Sequence, residues 1–455
     1  MQDAALVLAA GRGTRMRSRL AKVLHPLLGR PMVRYPVDAA REAGFDVVVV
    51  TNHQEEAVRA ALAGFARFAR QDEPRGTGHA VLCALDSLPA AGTLVVLAGD
   101  CPLLRAETLA SLRAAHAGRR ATVLTALLAD AAEYGRIERR PDGSLLGIVE
   151  AAECSPAQRA IREINTGVYA FDLAWLRAVV PTLQPHPPKG EIYLTDVLAL
   201  AAAEGQAHAV VHPDADEVLG VNDRWALAEA TRVLQRRVLR RLALEGVTFE
   251  QPDSAVVEAD VVLAEDVTVG PGAVLRGRTQ VGSGARIGAY AVLDDVQVGE
   301  GAVIHPHSVL QGAVVAADAV VGPFARLRPG ANIGPRAHIG NFVEVKNAHI
   351  KAGAKANHLS YLGDADVGEG ANIGAGTITC NYDGFRKHRT TIGAGAFIGS
   401  NTALVAPVVV GDGAIVGAGS VIVDDVPADA VAVARGVQQN RVGAAPRLRA
   451  QKGGA

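Results

Sequence analysis

Residues 257–293 read VEADVVLAEDVTVGPGAVLRGRTQVGSGARIGAYAVL, and an apolar residue returns at every sixth position of this stretch. The period runs from Val257 to Ile422 over 27 apolar positions, with four steps of five residues instead of six. A short fixed period of this length predicts a solenoid, because each repeat buries its apolar residue only by stacking on its neighbours. If three hexads form one triangular coil, the series makes about nine coils.

The hexad period has one long interruption, between Ile373 and Ile392, which contains CNYDGFRKHR at 380–389. Polar residues that a bare solenoid does not need lie in or beside it: Arg328, Lys346, His358, Tyr361, Asn372, Asn381 and Tyr382. A single histidine on a solenoid face more often has no function. His358, however, lies in a cluster with two cations that suit a sugar phosphate, which favours a binding site over a purely structural rod.

The first half of the chain follows a different pattern, in which short apolar runs alternate with helix-length amphipathic segments. The runs are ALVLAA at 5–10, DVVVV at 46–50, TLVVLAG at 93–99 and ATVLTALL at 121–128. This alternation predicts a Rossmann-like α/β domain with a mainly parallel sheet. Ligands of such sheets bind at the carboxyl ends of the strands, where the loop after residue 8 and Asp100 both fall.

The sequence therefore predicts an α/β domain over residues 1–222 and a β-helix over 247–440. Between them, residues 223–246 form an arginine-rich helix with an apolar stripe, for which a solvated linker is the favoured interpretation. Residues 441–455 are predicted to be a disordered tail.

The loop LAAGRGTRM at 8–16 has the character of a phosphate-binding turn, since glycines let several backbone N–H groups face one anion. It lacks the third glycine of a dinucleotide fingerprint, where Met16 stands, and it lacks the Gly-Lys-Ser/Thr ending of a P-loop. Asp100 fits a Mg²⁺ ligand and a helix N-cap before Pro102 equally well. On spacing alone, Lys22 is predicted to be an ordinary surface lysine.

Composition excludes several classes of function. The net charge is −1 with 20% charged residues, so no basic field predicts nucleic-acid binding, and the apolar runs are too short to span a membrane. Asp3 stands where a signal peptide would be positively charged. The four cysteines are scattered without metal-binding or paired spacing, which predicts a cytoplasmic protein.

The first half resembles the sugar-nucleotide pyrophosphorylases. The matching segments occur in family order: LAAGRGTRM, AKVLHP at 21–26, QDEPRGTGHA at 71–80, AGDCPL at 98–103, YGRI at 134–137, IVE at 148–150, INTGVY at 164–169 and GEIYLTD at 190–196. The second half resembles the hexapeptide acyltransferases, which are left-handed parallel β-helices, and contains NFVEVK, NHLSYLGD and NIGAGTITCNYDG. Over residues 4–437 the chain resembles the bacterial bifunctional enzymes that combine N-acetylglucosamine-1-phosphate uridyltransferase with glucosamine-1-phosphate N-acetyltransferase.

This resemblance implies roles for residues of the first half. Those expected to bind UTP and N-acetylglucosamine-1-phosphate are Leu8, Ala9, Ala10, Gly11, Arg15, Lys22, Gln71, Gly76, Thr77, Ala98, Gly99, Asp100, Gly135, Glu150, Asn165 and Asn222. Gln71, Gly76 and Thr77 would read uracil, and Asp100 and Asn222 would hold Mg²⁺. Arg15 would be catalytic by neutralising the triphosphate. Arg12 stands where many relatives carry lysine. Its planar guanidinium group differs from the lysine ammonium group in shape and in the arrangement of its hydrogen-bond donors.

For the second half, the resemblance implies that His358 is the general base. Arg328, Lys346, Tyr361 and Asn372 would bind glucosamine-1-phosphate, and the residues expected to line the acetyl-CoA groove are Ala375, Asn381, Tyr382, Ser400, Ala418 and Arg435. It also implies a homotrimer with acetyltransferase sites between parallel β-helices. Glu344 could orient a neighbouring residue or pair with Lys346, and the plain salt bridge is the favoured prediction.

Two alternatives remain open at this point. Besides a bifunctional enzyme, the second reading is a single-activity pyrophosphorylase whose β-helix only assembles or regulates it. A non-catalytic sugar-nucleotide scaffold is the third reading, and a different nucleotide or sugar in the first half is compatible with Gln71 and Glu150.

Overall fold

The computed structural model describes residues 3–11, 13–131, 133–187 and 190–452. Arg12, for which the sequence raises a question about phosphate contact, lies outside these residues. The chain divides into two units, one up to Arg236 and the other from Arg237 onward.

The first unit is built on a mixed, mainly parallel sheet. The strands of this unit are β1 (Ala4–Leu8), β2 (Pro26–Leu27), β3 (Arg30–Pro31), β4 (Asp46–Thr51), β5 (Arg67–Arg70), β6 (Thr93–Ala98), β7 (Ala121–Leu127), β8 (Arg136–Arg139), β9 (Leu145–Val149), β10 (Glu163–Asp172) and β11 (Ala207–His212). Strands β2 and β3 pair with each other in a separate two-stranded sheet, and the other nine form the main sheet. The order across the sheet is β11-β7-β10-β6-β1-β4-β5, and β8 and β9 form a ribbon beside β10. Strand β10 is antiparallel to both of its neighbours, β6 and β7.

Helices and turns cover this sheet. The α-helices of the chain are α1 (Arg34–Glu42), α2 (Glu55–Ala61), α3 (Thr77–Ala84), α4 (Ala106–His116), α5 (Pro156–Arg159), α6 (Leu173–Val179), α7 (Thr195–Ala203), α8 (Arg224–Leu244) and α9 (Ala444–Lys452). The 3₁₀ turns are Thr14–Met16, Lys22–Leu24, Leu85–Ser87, Val180–Thr182, Ala215–Val218 and Pro252–Ser254. Successive residues of β1 alternate between two buried clusters, Leu6 in one and Val7 in the other. Both faces of the sheet are therefore packed, as expected when strands read as continuous apolar runs.

The second unit consists of three parallel sheets with eleven, ten and nine strands. The first sheet contains Thr248–Phe249, Thr268–Val269, Arg286–Ile287, Val303–Ile304, Val320–Val321, His338–Asn341, Lys355–His358, Asn372–Ile373, Phe397–Ile398, Ile415–Val416 and Val431–Ala432. The second contains Val256–Val257, Val274–Arg276, Val292–Asp294, Val309–Gln311, Arg326–Leu327, Glu344–Lys346, Tyr361–Gly363, Ile378–Cys380, Ala403–Val405 and Val421–Ile422. The third contains Val262–Leu263, Gln280–Val281, Gln297–Val298, Val314–Val315, Asn332–Ile333, His349–Ile350, Ala365–Val367, Thr390–Ile392 and Val408–Val410. Each coil contributes one strand to each sheet in turn, so the predicted β-helix is present.

Every one of the 27 predicted inward positions is buried in the core of this β-helix. The predicted interruption begins one hexad too early, however. Thr379 is 1% exposed and lies beside Leu404 of the next coil. Its hydroxyl accepts from the Gly363 N–H at 2.8 Å and donates to the Gly363 carbonyl at 3.0 Å, which satisfies it inside the core. Because this inward residue is polar, the sixfold pattern of apolar residues does not include it.

Helix α8 occupies the predicted linker, and the boundary between the two units falls within it. Residues 444–452, predicted as part of a disordered tail, form the exposed helix α9 instead. Alanine, arginine, leucine, glutamine and lysine, which make up most of this segment, all have high helix propensity.

We predict that Ile287→Ala lowers the free energy of unfolding of the β-helix by about 2–5 kcal/mol, because it empties an inward site that is 2% exposed. Its neighbour Arg286 is exposed on the outer face, so Arg286→Ala serves as the matched control and changes stability by less than about 0.5 kcal/mol. Urea unfolding of the full chain, followed by circular dichroism, measures both. Equal losses in the two variants would contradict the inward assignment.

Candidate active sites

In the first unit, the carboxyl ends of two adjacent parallel strands bring two predicted segments together. Leu8 of β1 lies opposite Ala98 of β6, and the Gly99 N–H donates to the Leu8 carbonyl at 2.9 Å. Ala9 and Ala10 are buried, whereas Gly11 is exposed at the loop. The loop after β1 and the segment 98–100 therefore line the same edge of the sheet.

Lys22 is held beneath this loop and is not an ordinary surface lysine. Gly13 has a φ of +63°, and a Cβ built there would come within 2.4 Å of the Lys22 Cβ, so the close approach requires glycine. The Lys22 side chain is 15% exposed and forms an ion pair with Asp100. Its ammonium nitrogen also lies 3.2 Å from Oδ1 of Asn222.

Asp100 is not a helix N-cap, because α4 begins only at Ala106 with Arg105 as its cap. Its carboxylate and the amide oxygen of Asn222 instead converge on the single ammonium group of Lys22. The Val221 N–H donates to the Asp100 carbonyl at 2.8 Å, which aligns the two segments. Two oxygens from distant parts of the sequence thus face one cationic position.

Arg15 extends over the same position. Its guanidinium donates to Asn222 Oδ1 at 3.0 Å and to Glu133 Oε2 at 3.0 Å. The side chain of Arg15 is 59% exposed, so it remains accessible to a ligand at the loop.

Gln71, Gly76 and Thr77 form a second group, where β5 ends and α3 begins. The buried Gln71 side chain donates from Nε2 to the Gly76 carbonyl at 3.1 Å. Gly76 has a φ of +95°, and a Cβ there would lie 2.5 Å from the Ile192 carbonyl oxygen. Thr77 accepts from the Leu194 N–H at 3.0 Å, so the 190–196 segment closes this side of the site.

The predicted sugar-binding residues also come together. The Asn165 N–H donates to the Gly135 carbonyl at 2.9 Å, and its side-chain amide donates to the Tyr169 hydroxyl at 2.8 Å. Burial raises the pKa of Glu150, and Glu153 raises it further. The Thr195 hydroxyl donates to Glu150 at 3.5 Å.

In the second unit, His358 stands at one end of a column along one corner of the β-helix. Successive backbone hydrogen bonds define this column: Gly376 N–H to the His358 carbonyl at 3.4 Å, Asn401 N–H to the Ala375 carbonyl at 2.8 Å, and Gly419 N–H to the Ser400 carbonyl at 2.8 Å. The Arg435 guanidinium then donates to the Ala418 carbonyl. Four residues predicted to bind acetyl-CoA therefore follow His358 in consecutive coils.

The imidazole of His358 has a defined partner. Its Nδ1 lies 2.7 Å from Oδ1 of Asn341, the residue beside it in the preceding coil. An amide oxygen accepts only, so Nδ1 carries the proton and Nε2 keeps its lone pair.

Lys346 ends a strand of the second sheet and Arg328 follows the strand Arg326–Leu327 of the same sheet, and one contact there differs from the sequence expectation. Glu344 pairs with Arg328 at 2.9 Å and not with Lys346. Lys387, from the interruption, contacts Lys346, and its ammonium lowers the pKa of Lys346. The predicted Glu344–Lys346 salt bridge is wrong because Arg328 of the preceding coil reaches Glu344 diagonally, two residues beyond Arg326, which lies directly opposite Glu344.

The remaining predicted residues of the acetyltransferase site do not all share a face. Tyr361 belongs to the second sheet and Asn372 to the first. Asn381 is buried and donates to Asp364, whereas Tyr382 is 61% exposed with its hydroxyl bonded to the Gly384 carbonyl at 2.6 Å. A single chain therefore presents these groups on two faces of the β-helix.

Comparison with known proteins finds family models that match both halves of the chain. The MobA-like NTP transferase domain matches residues 5–243, and the six-repeat bacterial transferase hexapeptide matches 278–312 and 389–424. The "Bifunctional protein GlmU" of Trichlorobacter lovleyi is 48% identical, over 97% of each chain. The proteins of the same name from Sorangium cellulosum and Kineococcus radiotolerans are 49% and 50% identical, over 98% and 97% of this chain and 97% and 91% of theirs.

The chain belongs to the GlmU family of bifunctional proteins. The matches confirm the predicted fold class, an α/β nucleotidyltransferase followed by a left-handed β-helix of hexapeptide repeats. They also confirm that the protein is a transferase with two different catalytic domains.

Several residues of these sites escaped the sequence reasoning: Glu133, Asn341, Thr195, His79 and Lys387. Four of them lie inside or next to segments that carry the GlmU resemblance, and Lys387 lies in the interruption. The contacts of Glu133, Asn341, Thr195 and Lys387 join positions far apart in the sequence or in adjacent coils, which spacing does not reveal. Among the described residues, no group of three or more His, Cys, Asp or Glu side chains could hold a metal ion. No helix in this part of the chain is long and apolar enough to cross a membrane. All four cysteines are free.

We predict that Glu150→Gln raises the KM for the sugar phosphate at least about tenfold without destabilising the fold. A carboxyl whose pKa is raised by folding costs stability as the pH rises above its ordinary value of 4.5, because the unfolded chain ionises it more easily. The uncharged variant escapes this cost, so its Tm equals or exceeds that of the wild type at pH 8 and the difference shrinks towards pH 4.5.

The exposed Glu153 offers a matched control, since Glu153→Gln removes a neighbouring charge without touching the predicted sugar site. We expect its KM to stay within about twofold. A Glu150→Gln variant that melts at lower temperature than the wild type throughout this pH range would show that the carboxylate is structural.

Proposed function

We propose that this protein makes UDP-N-acetylglucosamine in two steps. The β-helix acetylates glucosamine-1-phosphate with acetyl-CoA, and the α/β unit then transfers UMP from UTP to the product with release of pyrophosphate. The observation that carries this proposal is the nearly full-length likeness to bifunctional GlmU proteins.

In the first unit, we assign the triphosphate of UTP to the loop after β1 with Arg15 and Lys22. The phosphate oxygen of the sugar phosphate attacks the α-phosphorus in line, and pyrophosphate leaves on the opposite side. No covalent enzyme intermediate is needed, so the residues act by positioning the reactants and neutralising negative charge.

Asp100 and Asn222 fit a Mg²⁺ ion, because a carboxylate and an amide oxygen already meet a cation at one point and Mg²⁺ binds through few protein oxygens. When bound, the ion supplies charge neutralisation of the phosphates. With Asp100 engaged by the ion, Lys22 would be available to contact the triphosphate.

In the second unit, we propose that His358 is the general base. With Nδ1 held by Asn341, Nε2 accepts a proton from the amine of glucosamine-1-phosphate as the nitrogen attacks the thioester carbonyl. The C–S bond breaks and CoA leaves as its thiolate. Arg328, Lys346 and Lys387 supply positive charge for the sugar phosphate, and the column from Ala375 to Arg435 receives acetyl-CoA.

We further propose a homotrimer located in the cytoplasm, where UTP and acetyl-CoA are available. Tyr361 and Asn372 lie in different sheets of one β-helix, which supports a site that a neighbouring copy completes. The mass measured by light scattering is expected to be three times the 47.1 kDa of the chain. A monomer with full acetyltransferase activity would contradict this arrangement.

The two-step proposal is tested with glucosamine-1-phosphate, acetyl-CoA, UTP and Mg²⁺, while free CoA thiol and pyrophosphate are followed together. We predict that His358→Ala lowers the rate of CoA release at least about 100-fold because the general base is lost. It still forms pyrophosphate when supplied with N-acetylglucosamine-1-phosphate.

Asp100→Asn is the reciprocal control, since it lowers pyrophosphate formation and leaves CoA release intact. If the wild type releases no CoA, the β-helix is a scaffold and the protein is a single-activity pyrophosphorylase. If the wild type forms no pyrophosphate from UTP, the assignment of the first unit is wrong.

A further inference from the structure

Asp364 is a buried carboxylate to which both ends of the insertion 381–389 are bonded. It follows a strand of the second sheet, has a φ of +49° and is 8% exposed. Each carboxylate oxygen accepts one amide N–H at 2.5 Å, Oδ1 from Asn347 and Oδ2 from Asn381. The Asp364 carbonyl accepts from the N–H of Thr390, the residue after the insertion, at 3.1 Å. One residue thus holds the insertion where it begins and where it ends.

The insertion keeps its internal shape by contacts of its own. The Asp383 carboxylate accepts from the N–H groups of Phe385 and Arg386 at 2.8 and 2.6 Å, and its other oxygen lies 2.7 Å from Nε2 of His388. The His388 N–H donates to the Asn381 carbonyl at 2.9 Å. These contacts fix the loop as a unit, but they do not attach it to the coil below.

Two carboxylates attach this unit to the preceding coil. Arg389 pairs with Asp366, but the two side chains are 42% and 31% exposed, and an ion pair in contact with water contributes little. Asp364 is buried, and hydrogen bonds to a buried carboxylate contribute more to stability. The main side-chain attachment of the insertion is therefore the bond between Asp364 and Asn381.

This attachment bears on the two lysines. Asp364 donates its N–H to the Lys346 carbonyl at 3.0 Å, and Asn347, which Asp364 also binds, is the residue after Lys346. Burial by itself would raise the pKa of Asp364, but the two amide donors and the charges of Lys387 and Lys346 lower it. Two ammonium groups repel each other, so Lys387 stays at Lys346 only because the fold holds it there.

We propose that Asp364 is a positioning residue that docks the insertion so that Lys387 and Lys346 form one anion-binding site. The paired ammonium groups suit a phosphate monoester, which carries up to two negative charges. This inference rests on the proposed binding of glucosamine-1-phosphate at Lys346.

The first test is Asp364→Asn in the full-length protein. The new side chain has one acceptor oxygen and one N–H₂ group, so it cannot accept from both Asn347 and Asn381. We expect the KM for glucosamine-1-phosphate, measured by CoA release, to rise at least about tenfold, with a smaller fall in kcat. Pyrophosphate formation from UTP and N-acetylglucosamine-1-phosphate stays within about twofold, because the other unit carries it out.

A rescue variant and a matched control accompany it. Combining Asp364→Asn with Asn347→Asp exchanges the donor and the acceptor of that pair and leaves an oxygen for Asn381. We expect the KM of this double variant to return within about threefold of the wild type. Asp295 also follows a strand of the second sheet, with a φ of +53°, but lies far from the insertion in sequence. We expect Asp295→Asn to keep the wild-type KM within about twofold.

The pKa of Lys346 reports the place of Lys387 without any assay of activity. Contact with Lys387 lowers it in the wild type. In Asp364→Asn we expect it to rise towards its ordinary value of 10.5, because the insertion and Lys387 move away. If Lys387 stayed and only the negative charge were lost, the pKa would fall further. Competitive labelling with acetic anhydride over a range of pH, followed by mass spectrometry of the Lys346 peptide, distinguishes the two.

The proposal is overturned if Asp364→Asn leaves the KM unchanged, or if the pKa of Lys346 falls in this variant. It is also overturned if the two activities and the Tm decline together and the double variant restores none of them, since Asp364 is then purely structural. Failure of the underlying function gives a different result: a wild type that releases no CoA refutes the acetyl transfer, while the labelling still decides whether Asp364 places Lys387.

Discussion

Stacking of one coil on the next is the constraint on which the second unit depends. An inward residue is buried because its counterpart in the next coil lies directly above it, as Val269, Ile287 and Ile304 do in the first sheet. This register leaves the outward positions and the corners free to vary. Polar groups there, such as His358 at its corner, can serve chemistry without disturbing the core.

The corners also explain why the residues predicted for the acetyltransferase site are scattered in sequence yet ordered in space. Ala375, Ser400 and Ala418 occupy equivalent positions in consecutive coils, so backbone hydrogen bonds align them above His358. The loop at 381–389 interrupts the period without interrupting the stack, because Thr379 and Ile392 continue it on either side. The insertion thereby brings Lys387 into contact with Lys346 while the coils on either side remain stacked.

In the first unit, the candidate site lies instead at the carboxyl ends of parallel strands. Adjacent strands β1 and β6 end together, and the loops that follow bring Lys22, Asp100 and Asn222 to one point. Much of the electrostatics of this edge follows from this convergence, since the oxygens of Asp100 and Asn222 are both paired with the Lys22 ammonium group. The Gln71 side chain shows the same principle, because the neighbouring Gly76 carbonyl fixes the direction of its amide.

The sequence by itself determined the β-helix, because a period of six over 27 positions leaves no other way to bury those residues. It also determined the α/β class and which segments carry chemistry, since strands and glycine-rich turns have local signatures. The tertiary structure alone decided the partners: Lys22 with Asp100, Glu344 with Arg328, His358 with Asn341, and Thr379 within the core. Such contacts depend on strand register and loop closure, which place residues side by side irrespective of their distance along the chain.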